Sequence, residues 1–212
     1  MPIVSIAPTR SNLLQMKEKL TFAIEGFQIL DKKREVLSVN LLSVVHEAET
    51  MQKKVWAQFD QAYRKLELAR MNMGQEGVEW AALAVNKSIE VEILNRGTMG
   101  VPLPDIQKSG EAPWISYSLG DTPVELDEAM AAFQNILANI PLLCELETKV
   151  WRLARELKKT QRRVHALEKV FIPNYKETIQ FIENTLEENE REETFRLKWL
   201  KSNKNASAEV DI

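Results

Sequence analysis

Residues 13–73 read LLQMKEKLTFAIEGFQILDKKREVLSVNLLSVVHEAETMQKKVWAQFDQAYRKLELARMNM, and their apolar side chains recur on alternating steps of three and four. The series runs Leu13, Met16, Leu20, Ala23, Phe27, Leu30, Leu37, Leu41, Val44, Ala48, Met51 and Val55, with Arg34 as the one polar member. A seven-residue repeat held over this length marks a left-handed coiled coil, because it keeps one stripe facing a partner helix. From Val55 the seam steps to Phe59, Ala62, Leu66, Ala69 and Met73, which locally relaxes the supercoil. Thr9 or Ser11 can cap the start with a hydroxyl oxygen. Gly74 reads as the stop. The expected helix covers residues 12–73, roughly 90 Å at the α-helical rise.

A second repeat begins at Leu143 and continues through Leu146, Val150, Leu153, Leu157, Thr160, Val164, Leu167 and Phe171. Pro173 falls inside it and predicts a bend. The seam resumes at Tyr175, Ile179, Ile182 and Leu186, and charged helix continues to about Lys201.

Between the repeats the pattern changes. Ile89, Val91 and Ile93 alternate with Glu90 and Glu92, Asn95-Arg96-Gly97 reads as a turn, and Ile115, Tyr117 and Leu119 alternate again. These predict a short β-hairpin, flanked by a short helix near residues 78–86 and another from about 121 to 139, with Pro141 interrupting or re-capping the chain. The expected fold is mainly α: a long antiparallel two-helix coiled coil with a small middle insert carrying a β-hairpin. The expected divisions are an N-terminal coiled-coil helix (1–73), the insert (74–141), a C-terminal coiled-coil helix (142–201) and a flexible tail (202–212). Matched helix lengths favour pairing within one chain, with residues whose numbers add to about 212 lying opposite each other.

The bulk composition excludes several function classes. The net charge of −3 offers no global basic field for nucleic acid. Cys144 is the single cysteine, so neither an internal disulfide nor a cysteine metal cluster is expected. The N-terminus lacks a signal-peptide pattern, and no membrane span is expected, so the chain reads as cytoplasmic. His46 and His165 stand without ligand-spaced neighbours, and neither a phosphate loop nor a Ser-His-Asp order appears. No cofactor or metal is expected.

Candidate contact residues remain. Trp56 and Trp151 each follow a seam position, at sites a two-helix coil leaves wet. The expected pairing sets them within about five residues of each other, as one aromatic patch. Glu187, Glu188 and Glu190 crowd an acidic segment with Glu183, Glu192 and Glu193. Lys158, Lys159, Arg162 and Arg163, with Lys53 and Lys54 opposite, are expected to form a basic belt.

Two blocks then go beyond architecture. The first is Pro8-Thr9-Arg10, Leu13, Gly26 and Lys32-Lys33-Arg34 before Leu37. The second is Lys159-Thr160-Gln161-Arg162-Arg163-Val164-His165-Ala166-Leu167-Glu168, followed by Ile172-Pro173, Thr178-Ile179 and Leu186-Glu187-Glu188. They resemble the paired signatures of the D-subunit family of V/A-type ATPases, in the same order over nearly the whole chain. His165 stands where that family usually has Asn, and Phe27 and Asp31 where His and a basic residue are common. The resemblance implies a non-catalytic central-stalk rotor component of a proton- or sodium-translocating V/A-type ATPase or ATP synthase. It implies helix ends inside the ring of A and B subunits, a small F subunit on the stalk, and the funnel-shaped C subunit of the membrane sector at the far end. A free coiled-coil chaperone or scaffold, and an enzyme with a coiled-coil arm, are the alternatives.

Overall fold

The computed structural model describes residues 6–85, 90–109, 117–118 and 122–210. The order is α1 (Arg10–Leu83), β1 (Glu90–Thr98), β2 (Val101–Ser109), α2 (Val124–Ala166), a π turn (Leu167–Phe171) and α3 (Ile172–Val210). The chain forms two compact units, residues 36–158 and residues 1–35 with 159–212.

The start of α1 is capped by Thr9, whose Oγ1 accepts the Asn12 N–H at 3.3 Å. Each expected seam position of α1 is buried or half-buried, from Leu13 through Leu37, Val55 and Ala62 to Met73. Arg34 is accommodated by turning to Asp31, 2.7 Å away on the preceding turn. Gly74 does interrupt the helix. Its φ of 78° and ψ of 167° belong to a region open essentially to glycine alone. Helix then resumes and runs to Leu83, so a second helix follows the kink where a short one was expected near 78–86.

In the larger unit, three apolar clusters hold α1 and α2 together. Val55 and Ala62 pack with Ile136, flanked by Phe59, Phe133, Ile140 and Leu143. Ala69 and Ala81 pack with Leu126. Leu37 and Leu153, each 1% exposed, pack with Val101 and Leu103 of β2. The hairpin therefore lies against the coil, and its apolar inner residues join the same core. Gln58 accepts from Asn139 at 3.0 Å, and Lys65 pairs with Glu128 at 3.1 Å. In the smaller unit Met16 packs with Ile179 and Ile182, and Lys17 pairs with Glu183 at 2.7 Å. Gln58 with Asn139, and Lys17 with Glu183, thus have numbers adding to about 200. The register of 212 is wrong: it assumed matched chain ends, whereas seam packing sets the register.

Four further expectations are corrected. The hairpin turn is Met99-Gly100, both with positive φ, and not Asn95-Arg96-Gly97. The second strand is Val101–Ser109; of the expected strand, Tyr117 is a bend, while Ile115, Leu119 and the expected Ile89 lie outside the described residues. Alternation hid β2 because Pro102 and Pro104 occupy it, and proline usually marks a non-strand. Pro141 does not interrupt α2, which runs through it from Val124 to Ala166. Likewise α3 continues to Val210 through the expected tail, since nothing after Pro173 breaks a helix.

Where a bend was expected at Pro173, the irregularity is the π turn just before it. Counting steps of three and four onward from Leu143, the stripe after Phe171 should fall on 174, 178 and 181. Instead Ile179 and Ile182 are buried, Thr178 beside them, and Phe181 is 45% exposed. One extra residue has entered the repeat. The π turn absorbs it, with the Ile172 N–H donating to the Leu167 carbonyl five residues back. It also rotates Phe171 off the seam, to 46% exposure.

Candidate functional site: contact surfaces on a helical pair

The sequence-predicted residues fall into separate surfaces. Trp56 is 67% exposed and Trp151 78%. Trp56 begins an aromatic ladder, with Phe59 at 6.5 Å between ring centroids, then Tyr63 stacked on Phe59 at 6.0 Å and Phe133 edge-on to Tyr63 at 5.6 Å. Trp151 joins no ring pair among the described residues. Ile140 and Leu143 lie at the level of Val55, and Leu153 at that of Leu37, so the two tryptophans sit at different levels. The single aromatic patch is not formed. The same register undoes the basic belt. Lys53 and Lys54 lie level with residues 140–143, while Lys158 follows Leu157 of the Leu37 cluster. Lys158, Arg162 and Arg163 are exposed, as is Lys159.

Glu190 meets Arg10 at 2.5 Å and Glu187 meets Arg191 at 3.7 Å; with Glu188 they are exposed. Pairs this wet contribute little to stability. Beyond them the C-terminal end of α3 exposes Phe195, Leu197, Trp199 and Leu200, each at least 57%. The sequence pattern reads there as charged helix to about Lys201 and does not single out this apolar set. A second apolar surface is a groove of about 610 Å³ lined by Phe22, Ala23, Gly26 and Leu30 of α1 with Leu167, Phe171 and Tyr175. It exists because the π turn brings Phe171 outward.

A polar clamp was also invisible beforehand. Glu145, Lys149 and Arg152 occupy one face of α2 at spacings of four and three. Glu145 is buried, accepts the Ile106 N–H of β2 at 3.0 Å and pairs with Lys149. Arg152 donates to the Pro102 carbonyl at 2.7 Å and the Asn95 side-chain oxygen at 3.3 Å. Arg96 pairs with Asp105 across the hairpin at 2.9 Å. Burial alone would raise the Glu145 pKa. The Lys149 hydrogen bond, the Ile106 N–H and the charges of Lys149 and Arg96 together outweigh it and hold the carboxyl below its ordinary value. Near the other end of the unit Tyr117 donates to Asp127 at 2.6 Å, and burial first, then that bond, raises its phenol. Among the described residues no group of three potential metal ligands comes together.

These are separate exposed surfaces on a helical scaffold. The model of the family described as the D subunit of ATP synthase matches residues 12–202. The chain belongs to the ATP synthase D-subunit family. It is 41% identical over 198 residues to the V-type ATP synthase D subunit of Thermotoga neapolitana, covering 93% of this chain and 98% of that one. It is 34% identical over 210 residues to the A-type ATP synthase D subunit of Thermococcus sibiricus, 98% of each chain. The A-type ATP synthase D subunit of Methanosphaera stadtmanae is 37% identical over 201 residues, 93% of this chain and 94% of that one. Family membership thus extends through both helical regions and the hairpin between them. One helical run, Val124–Ser202, is long and apolar enough by length and composition to cross a membrane, against the sequence expectation. In this D subunit that run carries the buried side chains of Ile136, Leu146 and Leu153.

Proposed function

We propose that this D subunit is the non-catalytic central shaft of a V/A-type rotary ATPase. It carries torque between ATP hydrolysis or synthesis in the A and B ring and ion translocation in the membrane sector. The observation that carries this reading is the pairing of helices along a nearly unbroken seam, in a chain matched to the family over nearly its full length. Helices satisfy their own backbone hydrogen bonds, so two of them wound together resist torsion without a wide core. Nucleotide chemistry belongs to the partner chains in this account, and the complex, not this chain, meets the membrane from the cytoplasmic side.

The surfaces divide among partners. The exposed apolar end of α3 and the acidic stretch with Glu187, Glu188 and Glu190 face the A and B subunits. The basic stretch Lys158, Lys159, Arg162 and Arg163 meets acidic loops of the same ring. Trp56 and Trp151 are anchors for the F subunit, and the insert-bearing end sits on the funnel-shaped C subunit. Truncating a buried aromatic anchor at an interface commonly costs 2 kcal/mol or more. Trp56→Ala with Trp151→Ala therefore weakens binding to the purified F subunit at least about tenfold, with the helicity of the chain unchanged, since neither residue is in the seam. Calorimetric titration reads this, and wild-type affinity in the double variant would remove both residues from the interface.

A further inference from the structure

The two outer edges of the hairpin differ. Along an antiparallel ladder, residues alternate between groups facing the partner strand and groups facing away. Ile106 gives its N–H to Glu145, so it faces away from β1. Pro102 and Pro104 share its parity and have no N–H to offer, and the Pro102 carbonyl is taken by Arg152. The β2 edge is closed. On β1 the residue opposite Ile106 is Ile93, so Ile93 also faces outward, with Val91, Asn95 and Gly97 at the same parity. β1 has no proline and no lysine, and its ladder with β2 is continuous from Glu90 to Thr98. Among the described residues nothing pairs with its outer edge, and Val91 and Ile93 are 47% and 60% exposed. An open, apolar edge of this kind is a template for another strand.

The sequence of β1 says which strand fits. Paired antiparallel with its own copy about Leu94, Ile93 meets Asn95 of the copy, and both are outward-facing, so the hydrogen-bond parity is correct. Leu94 then faces Leu94, and Glu92 faces Arg96 on both sides of the two-fold. Moving the centre to Ile93 brings Arg96 level with Glu90 but leaves Glu92 against Leu94, and moving it to Asn95 separates the charges altogether. Moving it by two sets Glu92 against Glu92, or Arg96 against Arg96, and like charges directly opposite destabilise a pair. Arg96 already reaches Asp105 in its own hairpin, but its side chain is 77% exposed and a guanidinium has five donors. We propose that the outer edge of β1 is a self-association surface whose occupant is β1 of a second copy of this chain, antiparallel about Leu94. The pairing is a property of the free protein and does not depend on the shaft reading.

The test uses the full chain with Cys144→Ala, leaving any engineered cysteine as the only thiol. Leu94 would occupy a non-hydrogen-bonded pair with itself, with Cα atoms about 4.5 Å apart, within disulfide reach. Leu94→Cys should oxidise to a covalent dimer far faster than Leu42→Cys, a position on α1 of 67% exposure. Ile93→Pro removes an outward N–H without touching the β1–β2 ladder. It should return the concentration-dependent mass seen by light scattering to that of a monomer, with the far-ultraviolet helical signal unchanged. A wild-type chain monomeric at every concentration, association that survives Ile93→Pro, or equal cross-linking at positions 94 and 42 would overturn the proposal.

Discussion

Removing the Glu145 carboxylate tests whether the hairpin is clamped to α2 by one buried acceptor. Glu145 is 8% exposed, and its carboxylate takes the outward N–H of Ile106 while pairing with Lys149. A hydrogen bond to a charged group contributes about 1.5–3 kcal/mol net, and a stranded buried donor costs about 1–3 kcal/mol. Glu145→Ala should therefore lower the free energy of hairpin opening by about 2–3 kcal/mol. At about 1.4 kcal/mol per factor of ten, the Ile106 amide should exchange with solvent roughly 30- to 150-fold faster. Glu145→Gln keeps an acceptor oxygen but loses the charge, and should fall about midway. The pH dependence has a fixed sign. The folded pKa lies below the ordinary value of 4.5, so the clamp contributes fully above pH 4.5 and is lost as pH falls through the lower folded value. Hydrogen exchange followed by NMR between neutral and acidic pH gives both quantities. Unchanged Ile106 protection in Glu145→Ala, or protection that rises on acidification, would refute the clamp.

Three further outcomes follow from packing and backbone geometry. Leu153→Ala should destabilise the chain by about 2–5 kcal/mol in denaturant unfolding, because Leu153 is 1% exposed in the cluster with Leu37, Val101 and Leu103. Gly26→Ala should stabilise by about 0.5–1 kcal/mol, since a Cβ there meets nothing within 4 Å and the residue lies inside α1. Gly74→Ala should instead cost about 1–3 kcal/mol although it too has open space, because its backbone is one that alanine avoids; equal effects at the two glycines would contradict the kink.

The seam was legible because it repeats: a heptad sustained across residues 13–73 leaves one stripe to bury, and the buried stripe is the one read. Register was not legible. Whether Lys17 meets Glu183 or a residue some three turns further on depends on how Met16 sits among Ile179 and Ile182, and periodicity cannot distinguish two such slides. The two patterns that assumed a slide, the tryptophan patch and the basic belt, failed with it. The π turn had left a trace, the successive steps of four from Leu167 to Phe171, Tyr175 and Ile179, which Pro173 overshadowed. β2 left none of the usual kind, because its prolines break alternation and are tolerated only on the edge that Glu145 and Arg152 cover. The clamp itself joins residues 39 and 50 positions apart, through a backbone N–H and a carbonyl, groups that the sequence does not single out.

The shaft account is tested most directly by watching the chain turn. Cys144 is exposed and is the only cysteine in the sequence, so it can carry a bead or a fluorescent rod without further engineering. In a complex whose A and B ring is fixed to a surface, ATP should drive sustained rotation of the label in one direction, stopping when ATP is removed. A label that stays still relative to the ring while the same molecules hydrolyse ATP would contradict the account.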